Sequence, residues 1–184
     1  MKKSKKLSRN EIISSYISYL LENNTPPKSV YAFAKAFDFE ETQFYNYFGN
    51  FDAIEKAIFK EFFNNTITVL NKSEEYPTFD ARNKLLSFYF TFFENLSANR
   101  SYILLALNSN KDHLNKLKVL AGLKNGFTNY ITELNIETID FKEQKITEIQ
   151  QKAIVESAWM QLLITIQFWM SDASALFEKT DIFI

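Results

Sequence analysis

The sequence contains no cysteine, which excludes disulfide bonds and thiolate metal ligands. Glycine and proline are also scarce, with three of each in 184 residues. Because these two residues dominate turns, their scarcity favours long helices over many short strands. The formal net charge is -1, so bulk charge indicates neither a nucleic acid nor an anionic membrane as the partner.

Residues that could carry catalysis are few. The single histidine, His113, follows Asp112 in a lysine-rich stretch and has no base or metal partner at a recognisable spacing. Glu94, Glu148 and Glu156 are too scattered for a carboxylate metal site, and there is no glycine-rich phosphate loop. The sequence therefore predicts that the protein is not an enzyme and has no catalytic residue, no metal site and no cofactor.

Apolar runs long enough to cross a bilayer are also lacking. The strongest run, residues 158–170, contains Gln161 and Gln167 and is shorter than the roughly 20 apolar residues that a spanning helix needs. The basic start of the chain is not followed by an apolar segment, which does not fit a secretory signal. We expect a cytoplasmic protein with no membrane span.

Apolar residues are abundant, at 46% of the chain, and aromatic residues account for 16%. Their helical spacing predicts an all-α protein. The predicted helices cover about 10–23, 28–36, 40–47, 52–71, 79–98, 100–109, 112–134 and 142–178. We predict a basic, disordered tail at 1–9, a first domain at 10–71 and a second domain at 79–184, with the linker "KSEEYPTF" between the domains.

The second and third predicted helices are short and are separated by the turn "FDFE", which is the order of a helix-turn-helix. The segment "SVYAFAKAFDFEETQFYNYFGNFDAI" resembles the N-terminal domain of the TetR family of bacterial repressors, without a gap. The resemblance covers about residues 8–60. The positions in register with the family pattern are Ser29, Val30, Phe33, Ala34, Phe39, Phe44, Tyr45, Tyr47, Phe48, Asn50, Asp52 and Ile54.

This resemblance implies a TetR-like fold with a three-helix, helix-turn-helix domain followed by a helical ligand-binding and dimerisation domain. It also implies a homodimer formed through the last long helices. Phe44 and Phe48 are predicted to be core residues. Glutamine and asparagine can pair with adenine edges. The predicted DNA-binding residues are Lys28, Thr42, Gln43, Tyr45, Asn46 and Tyr47.

Several positions depart from the family pattern. Asp38 replaces the turn glycine, and aspartate is among the residues that tolerate a left-handed conformation. Glu40 and Glu41 replace the small or basic residues that open the reading helix, and Phe51 replaces a lysine that contacts phosphate. Acids in a first helical turn suit the helix dipole, but beside DNA they repel phosphate. The sequence therefore predicts weakened DNA binding.

The second domain is rich in aromatic residues that could line an apolar pocket for an apolar or aromatic ligand. The predicted ligand-binding residues are Tyr89, Phe92, Phe93, Tyr102, Phe127, Tyr130 and Trp159. The last helix also carries an apolar face that is wide enough to pack on two partners. That face consists of Trp159, Leu162, Leu163, Ile166, Trp169 and Met170.

The leading hypothesis is a ligand-responsive, DNA-binding transcriptional regulator, of the repressor type. A second hypothesis is a carrier of a lipid or quinone-like molecule with the same fold and no DNA binding, which the acidic segment 38–41 favours. A third hypothesis is an adaptor that binds other proteins through the aromatic surface at 44–51. Salt-dependent DNA binding would separate the first hypothesis from the other two.

Overall fold

The computed structural model describes residues 7–109, 117–136 and 144–184, and within these ranges every regular element is helical. The chain is therefore all-α, as the sequence predicts. The α-helices are α1 (Arg9–Asn23), α2 (Val30–Ala36), α3 (Glu41–Tyr45), α4 (Phe51–Leu70), α5 (Ala81–Ala98), α6 (Arg100–Ser109), α7 (Ala121–Glu133), α8 (Gln144–Ser171) and α9 (Glu178–Phe183). Short 3-10 helices occupy Tyr76–Thr78 and Ala175–Phe177.

The described residues divide into two compact units. Unit 1 contains those in 1–59 and 99–121, and unit 2 contains those in 60–98 and 122–184. The division falls inside α4 and assigns α6 to unit 1. The domains predicted at 10–71 and 79–184 follow the linker along the chain and stay a prediction.

Unit 1 is built around the ring of Phe33 on α2, which is fully buried. Phe33 makes edge-on contacts with Tyr16 of α1 and with Phe44 of α3, at ring-centroid distances of 6.0 and 6.2 Å. The first helix begins with a capping box, because Ser8 and Glu11 each satisfy the backbone N–H of the other. Helix α6 packs against α1. These contacts fix α3 on the core.

Unit 2 has a core of stacked rings centred on Phe88 of α5. Phe88 stacks on Phe92 and on Tyr130 of α7, with centroids 5.3 and 5.1 Å apart. Gly126 lets α7 approach Phe63 closely, since a Cβ at this position would lie 2.6 Å from Phe63 Cδ1. The core therefore depends on one position where only glycine fits without movement of a ring.

One predicted boundary is wrong. The last long helix ends at Ser171 instead of continuing to about 178, because the Asp172 carboxylate draws the following backbone into a turn. Helix α4 begins at Phe51, within one residue of the predicted start, and its cap is Asn50, whose Oδ1 accepts from Ala53 N–H at 2.9 Å. Of the helix predicted at 112–134, residues 112–116 lie outside the described part, as does His113.

Candidate DNA interface and ligand region

The turn between α2 and α3 depends on Asp38. Ser29 caps α2 by accepting a hydrogen bond from Ala32 N–H at 3.1 Å. Asp38 adopts a left-handed conformation with φ 54, and Phe39 N–H then donates to Ala34 O at 3.0 Å. The turn is thus closed by an aspartate in the conformation that the sequence analysis expected it to tolerate. Helix α2 packs against α3.

Helix α3 and the residues that follow it separate into a buried side and an exposed side. Phe44 and Phe48 are buried, as predicted. The Tyr45 side chain is 53% exposed and that of Tyr47 is 41% exposed. Thr42 and Asn46 are also exposed. Four of the predicted DNA-binding residues therefore share the solvent side of one short segment, held by two phenylalanines.

Gln43 has a structural role that the sequence analysis missed. Its Oε1 accepts a hydrogen bond from Leu7 N–H at 2.9 Å, and Leu7 is buried. The Arg9 guanidinium lies over the Phe48 ring, 5.5 Å from the centroid. The start of the described chain is therefore attached beside α3, and the basic residues 1–6 of the predicted tail lie outside the described part.

The charges around α3 are mixed. Asp38 and Glu40 are exposed, and so is Lys28. Glu41 accepts a hydrogen bond from the Tyr45 hydroxyl at 3.2 Å, which orients the phenol along the helix. Partial desolvation and this bond raise the pKa of Tyr45. The Tyr45 ring is exposed, and its hydroxyl can donate to another acceptor only in place of the bond to Glu41.

Beneath this surface, α1 and α4 are joined by a tyrosine–carboxylate pair. The hydroxyl of the fully buried Tyr16 donates to Glu55 Oε1 at 2.7 Å. Burial raises the pKa of Glu55, although the bond from Tyr16 acts in the opposite direction. Burial and the nearby Glu55 also raise the pKa of Tyr16. The pair satisfies polar groups in the core of unit 1 and does not face α3.

The structure brings six of the seven predicted ligand-binding residues together. Tyr102 is the exception, because it belongs to unit 1, where its ring contacts Phe59 at 6.4 Å. The other six lie in unit 2 and are all buried. They are Tyr89, Phe92, Phe93, Phe127, Tyr130 and Trp159, which we call the aromatic cluster.

The rings of the aromatic cluster contact one another. Tyr89 stacks on Phe93 with centroids 6.2 Å apart, and Phe127 contacts Trp159 at 6.5 Å. The Tyr130 hydroxyl donates to Lys84 O at 2.9 Å and lies 2.8 Å from the Tyr76 hydroxyl, so Tyr76 donates the second bond. Burial, followed by the bond with Tyr76, raises the pKa of Tyr130. The cluster is a packed core in which the Tyr130 hydroxyl both donates and accepts a hydrogen bond.

A cavity of about 360 Å³ lies at the edge of this cluster, between α5 and the corner that joins α8 to α9. Phe93 belongs to both the cluster and the cavity wall. The cavity is lined by Phe90, Phe93, Glu94, Ser97, Trp169, Leu176, Phe177, Thr180 and Asp181. This cavity was not predicted from the sequence, because a continuous helix was predicted through 172–177, where the chain in fact turns.

The exposed apolar face of α8 differs from the one predicted. Trp159, Leu162, Ile166 and Trp169 of the predicted face are buried in unit 2. The exposed apolar residues follow a different stripe of the helix, with spacings of four between Met160, Ile164 and Phe168. Ile164 is 53% exposed. The most exposed apolar residues of α8 therefore lie outside the predicted face, of which only Leu163 and Met170 are half-buried rather than buried.

Helix α8 is also long and apolar enough, from Ile146 to Ser171, to satisfy a length-and-composition test for a membrane-spanning segment. The sequence analysis considered only the shorter run 158–170. One such helix is weak grounds for a membrane protein, since core helices of globular proteins pass the same test. Trp159 and Trp169 place one side of α8 in the core of unit 2.

Comparison with known families decides the relationship that the N-terminal pattern suggests. The family model described as "Tetracyclin repressor-like, C-terminal domain" matches residues 84–184. The chain belongs to the TetR family. The match lies in the part of the chain where the sequence analysis found no motif, and it does not include the helix-turn-helix segment. No curated protein and no solved structure matches the chain.

Membership in the TetR family makes the protein a TetR-type regulator in general terms. The described residues of the matched region, 84–109, 117–136 and 144–184, contain most of α5, all of α6 to α9 and the whole cavity wall. The aromatic cluster and the exposed α8 stripe lie in the same region. The features that could bind a ligand or a second subunit are therefore those of a TetR-type C-terminal domain.

Proposed function

We propose that this protein is a ligand-responsive, DNA-binding transcriptional regulator that acts as a cytoplasmic homodimer. The observation that supports this proposal is the exposed side of α3 in a chain that belongs to the TetR family. Tyr45 on α3 and Tyr47 just after it are exposed, and the neighbouring Phe44 and Phe48 are buried and hold this segment on the core. Tyrosine hydroxyls bind phosphate oxygens, and the second helix of a helix-turn-helix enters the major groove.

The proposed DNA contacts are the predicted residues Lys28, Thr42, Gln43, Tyr45, Asn46 and Tyr47, of which all but the half-buried Gln43 are exposed. The Gln43 oxygen accepts a hydrogen bond from Leu7 N–H, so a base edge that uses this oxygen must replace or share that bond. The lysines of residues 1–6, which lie outside the described part, are proposed to supply part of the phosphate attraction that Asp38, Glu40 and Glu41 reduce.

Dimerisation is proposed through the exposed stripe of α8. The stripe runs through Met160, Ile164 and Phe168, and residues 157–171 contain no charged side chain. A surface without charge is self-complementary, which a two-fold interface requires because each residue meets the same surface patch on its partner. Phe168 also stacks on Phe183 of α9, with centroids 4.5 Å apart, and this extends the apolar surface.

Regulation is proposed to act through unit 2. An apolar or aromatic ligand that separates or wedges the aromatic cluster would shift the dimer toward a conformation with a different spacing of its two α3 helices. DNA half-sites lie roughly 34–36 Å apart, so a dimer with another spacing loses affinity. The ligand achieves this only if it binds the non-matching conformation more tightly than the DNA-bound one.

The proposal is tested by fluorescence anisotropy with the DNA upstream of the protein's own gene and with a scrambled duplex, at several salt concentrations. We expect preference for the upstream DNA and affinity that falls with salt. Tyr45→Phe and Tyr47→Phe should weaken specific binding, whereas Tyr31→Phe, at another exposed tyrosine of unit 1, serves as the control. Equal, weak binding to both duplexes at low salt would contradict specific recognition of the DNA upstream of the protein's own gene.

One observation favours the second function, a hydrophobic-ligand carrier without DNA binding. Asp38 and Glu40 are exposed beside α3, where a DNA-binding surface usually is basic. The carrier would co-purify with a lipid or quinone-like molecule and would bind no duplex at any salt concentration. Extraction of the purified protein with organic solvent, followed by mass spectrometry, distinguishes this function from the first.

A further inference from the structure

The cavity between α5 and the α8–α9 corner combines aromatic walls with carboxylates. Trp169 is fully buried and lies between Phe93 and Phe177, with ring-centroid distances of 6.2 and 6.0 Å. The Trp169 Nε1–H donates to Ser97 Oγ at 3.1 Å, which fixes the indole. The buried rings of Phe93 and Trp169 therefore form the fixed base of the wall, and Phe90 and Phe177, which are less buried, line the same cavity.

The rim of the same cavity is acidic. Glu94 of α5 and Asp181 of α9 line it from opposite elements, and both are exposed. The lining residues that the structure describes include no lysine, arginine or histidine. The cavity thus has negative charge on two sides and no basic side chain in its wall to neutralise it.

The wall formed by the α8–α9 corner is held in place by one buried carboxylate. Asp172 Oδ1 accepts from Ser174 N–H and Oγ–H at 2.8 and 2.6 Å, and Oδ2 accepts from Thr180 N–H and Oγ1–H at 2.9 and 2.7 Å. The segment between these anchors contains Leu176 and Phe177, both at positive φ. A wall kept in a strained conformation by four hydrogen bonds is preformed for a ligand.

From this geometry we infer that the cavity binds a small organic cation that carries an aromatic or alkyl group. The positive centre lies between Glu94 and Asp181, and the apolar part rests on Phe90 and Phe177, the two rings of the wall that are not fully buried. Cations are attracted to the faces of aromatic rings. The volume of about 360 Å³ suits a molecule of one or two rings.

The inference rests on the proposed function in one respect, since it makes the cation the effector of the regulator. It narrows the apolar or aromatic ligand to one that also carries positive charge. The inference also places the ligand site in the cavity at the edge of the aromatic cluster and not at its centre. Phe93 belongs to both the cavity wall and the cluster. A cation bound in the cavity would displace Phe93, and through it Tyr89, although the packed core does not have to open before binding.

Calorimetric titration of the full chain with benzyltrimethylammonium tests the inference, with its neutral carbon isostere neopentylbenzene as the matched ligand. We expect the cation to bind at least about tenfold more tightly than the isostere. Glu94→Gln and Asp181→Asn should each weaken the cation by about fivefold, the effect of one unit charge at ~4 Å in water. Glu178→Gln, also exposed on α9 but outside the cavity wall, is the control and should change nothing.

The Trp169 indole resonance locates the site, and it should shift with the cation in the wild type and in the control variant. The inference is overturned if the two ligands bind equally, if neither binds, or if both carboxylate variants bind the cation as the wild type does. The anisotropy experiment is independent of this outcome. Cation binding without DNA binding would refute the proposed function and leave the cavity assignment standing, whereas DNA binding without cation binding would do the reverse.

Discussion

At the scale of single residues, Asp172 determines the conformation of the corner between α8 and α9. Its carboxylate is buried and accepts four hydrogen bonds from Ser174 and Thr180. These bonds, with those from the Ser174 side chain first, lower the pKa of Asp172 well below its usual range. The same bonds keep Leu176 in a left-handed conformation with its side chain 87% exposed. One carboxylate thus forms the corner that closes the cavity.

Replacement of Asp172 by asparagine should release this corner, because an amide NH₂ cannot accept the bonds that one carboxylate oxygen accepts. We expect a lower melting temperature and faster amide exchange in α9. Because the folded-state pKa is depressed, the wild type has this stabilisation in full above the unfolded pKa, near 3.8, and loses it as pH falls toward the folded value. Asp181→Asn, at an exposed carboxylate, is the control for the stability measurement. Identical melting of Asp172→Asn and wild type across this pH range would contradict the role.

Gly126 is the second decisive residue. In an exposed helix, alanine is more favourable than glycine by about 1 kcal/mol. At Gly126 the added Cβ would meet the Phe63 ring at 2.6 Å, so the Gly126→Ala variant should be less stable by about 1–3 kcal/mol. Gly49→Ala is the matched control, because nothing lies within 4 Å of a Cβ there. Urea unfolding measures both variants, and a stabilised Gly126→Ala protein would disprove the close packing.

At the scale of elements, local sequence signals were sufficient for unit 1. The spacing of Ile13, Ile17 and Leu20 predicts α1, and the N-terminal pattern predicts α2, the turn and α3. Side-chain burial at Phe44 and Phe48 also follows from that pattern. The cap of α4 is a local feature, because Asn50 Oδ1 accepts from Ala53 N–H three residues ahead. The bond from Leu7 N–H to the Gln43 oxygen joins residues 36 positions apart, so it cannot be predicted from spacing.

In unit 2 the sequence predicted an aromatic-rich core, but not which apolar side chains are buried and which are exposed. Periodicity predicts that α8 has a wide apolar surface, yet it does not say which stripe meets the core. Trp169 is buried and Ile164 is not, because partners from distant parts of the chain, such as Phe93 and Ser97, cover the tryptophan. The cavity could not be predicted for the same reason. It depends on a turn at Asp172 whose acceptor groups are satisfied by residues up to eight positions ahead.

The electrostatic character of α3 leads to a prediction at this scale. Glu40 is the exposed N-cap residue of α3 and makes no capping bond with its side chain. Glu40→Gln should therefore leave the fold intact. It should strengthen DNA binding by up to about fivefold at low salt, because the repulsion between the Glu40 carboxylate and a DNA phosphate ~4 Å away is removed. The gain should shrink as salt rises.

The matched control for this substitution is Glu22→Gln, at an exposed carboxylate near the end of α1. Anisotropy at low and high salt compares both variants with the wild type. Unchanged affinity of Glu40→Gln at every salt concentration would show that α3 does not approach phosphates.

At the scale of the whole molecule, the account requires a dimer through α8. Ile164→Glu places a charge in the centre of the exposed stripe without disturbing the core of the subunit, because the side chain is 53% exposed. We expect a folded monomer that loses specific DNA binding, since two half-sites can no longer be bound together. Val69→Glu, at an exposed apolar residue of α4, should remain dimeric. A dimeric Ile164→Glu protein in analytical ultracentrifugation would require another interface.

The central claim is that a dimer reads DNA with its two α3 helices, and selection of duplexes from a random library by the full chain tests it most directly. The account predicts enrichment of a palindrome whose half-sites have centres about 10–10.5 base pairs, or a multiple of that, apart. It also predicts that Tyr45→Ala and Tyr47→Ala proteins lose this enrichment while they remain folded. A selection at low salt that enriches no sequence would contradict the claim, and the acidic surface beside α3 would then belong to a protein that no longer reads DNA.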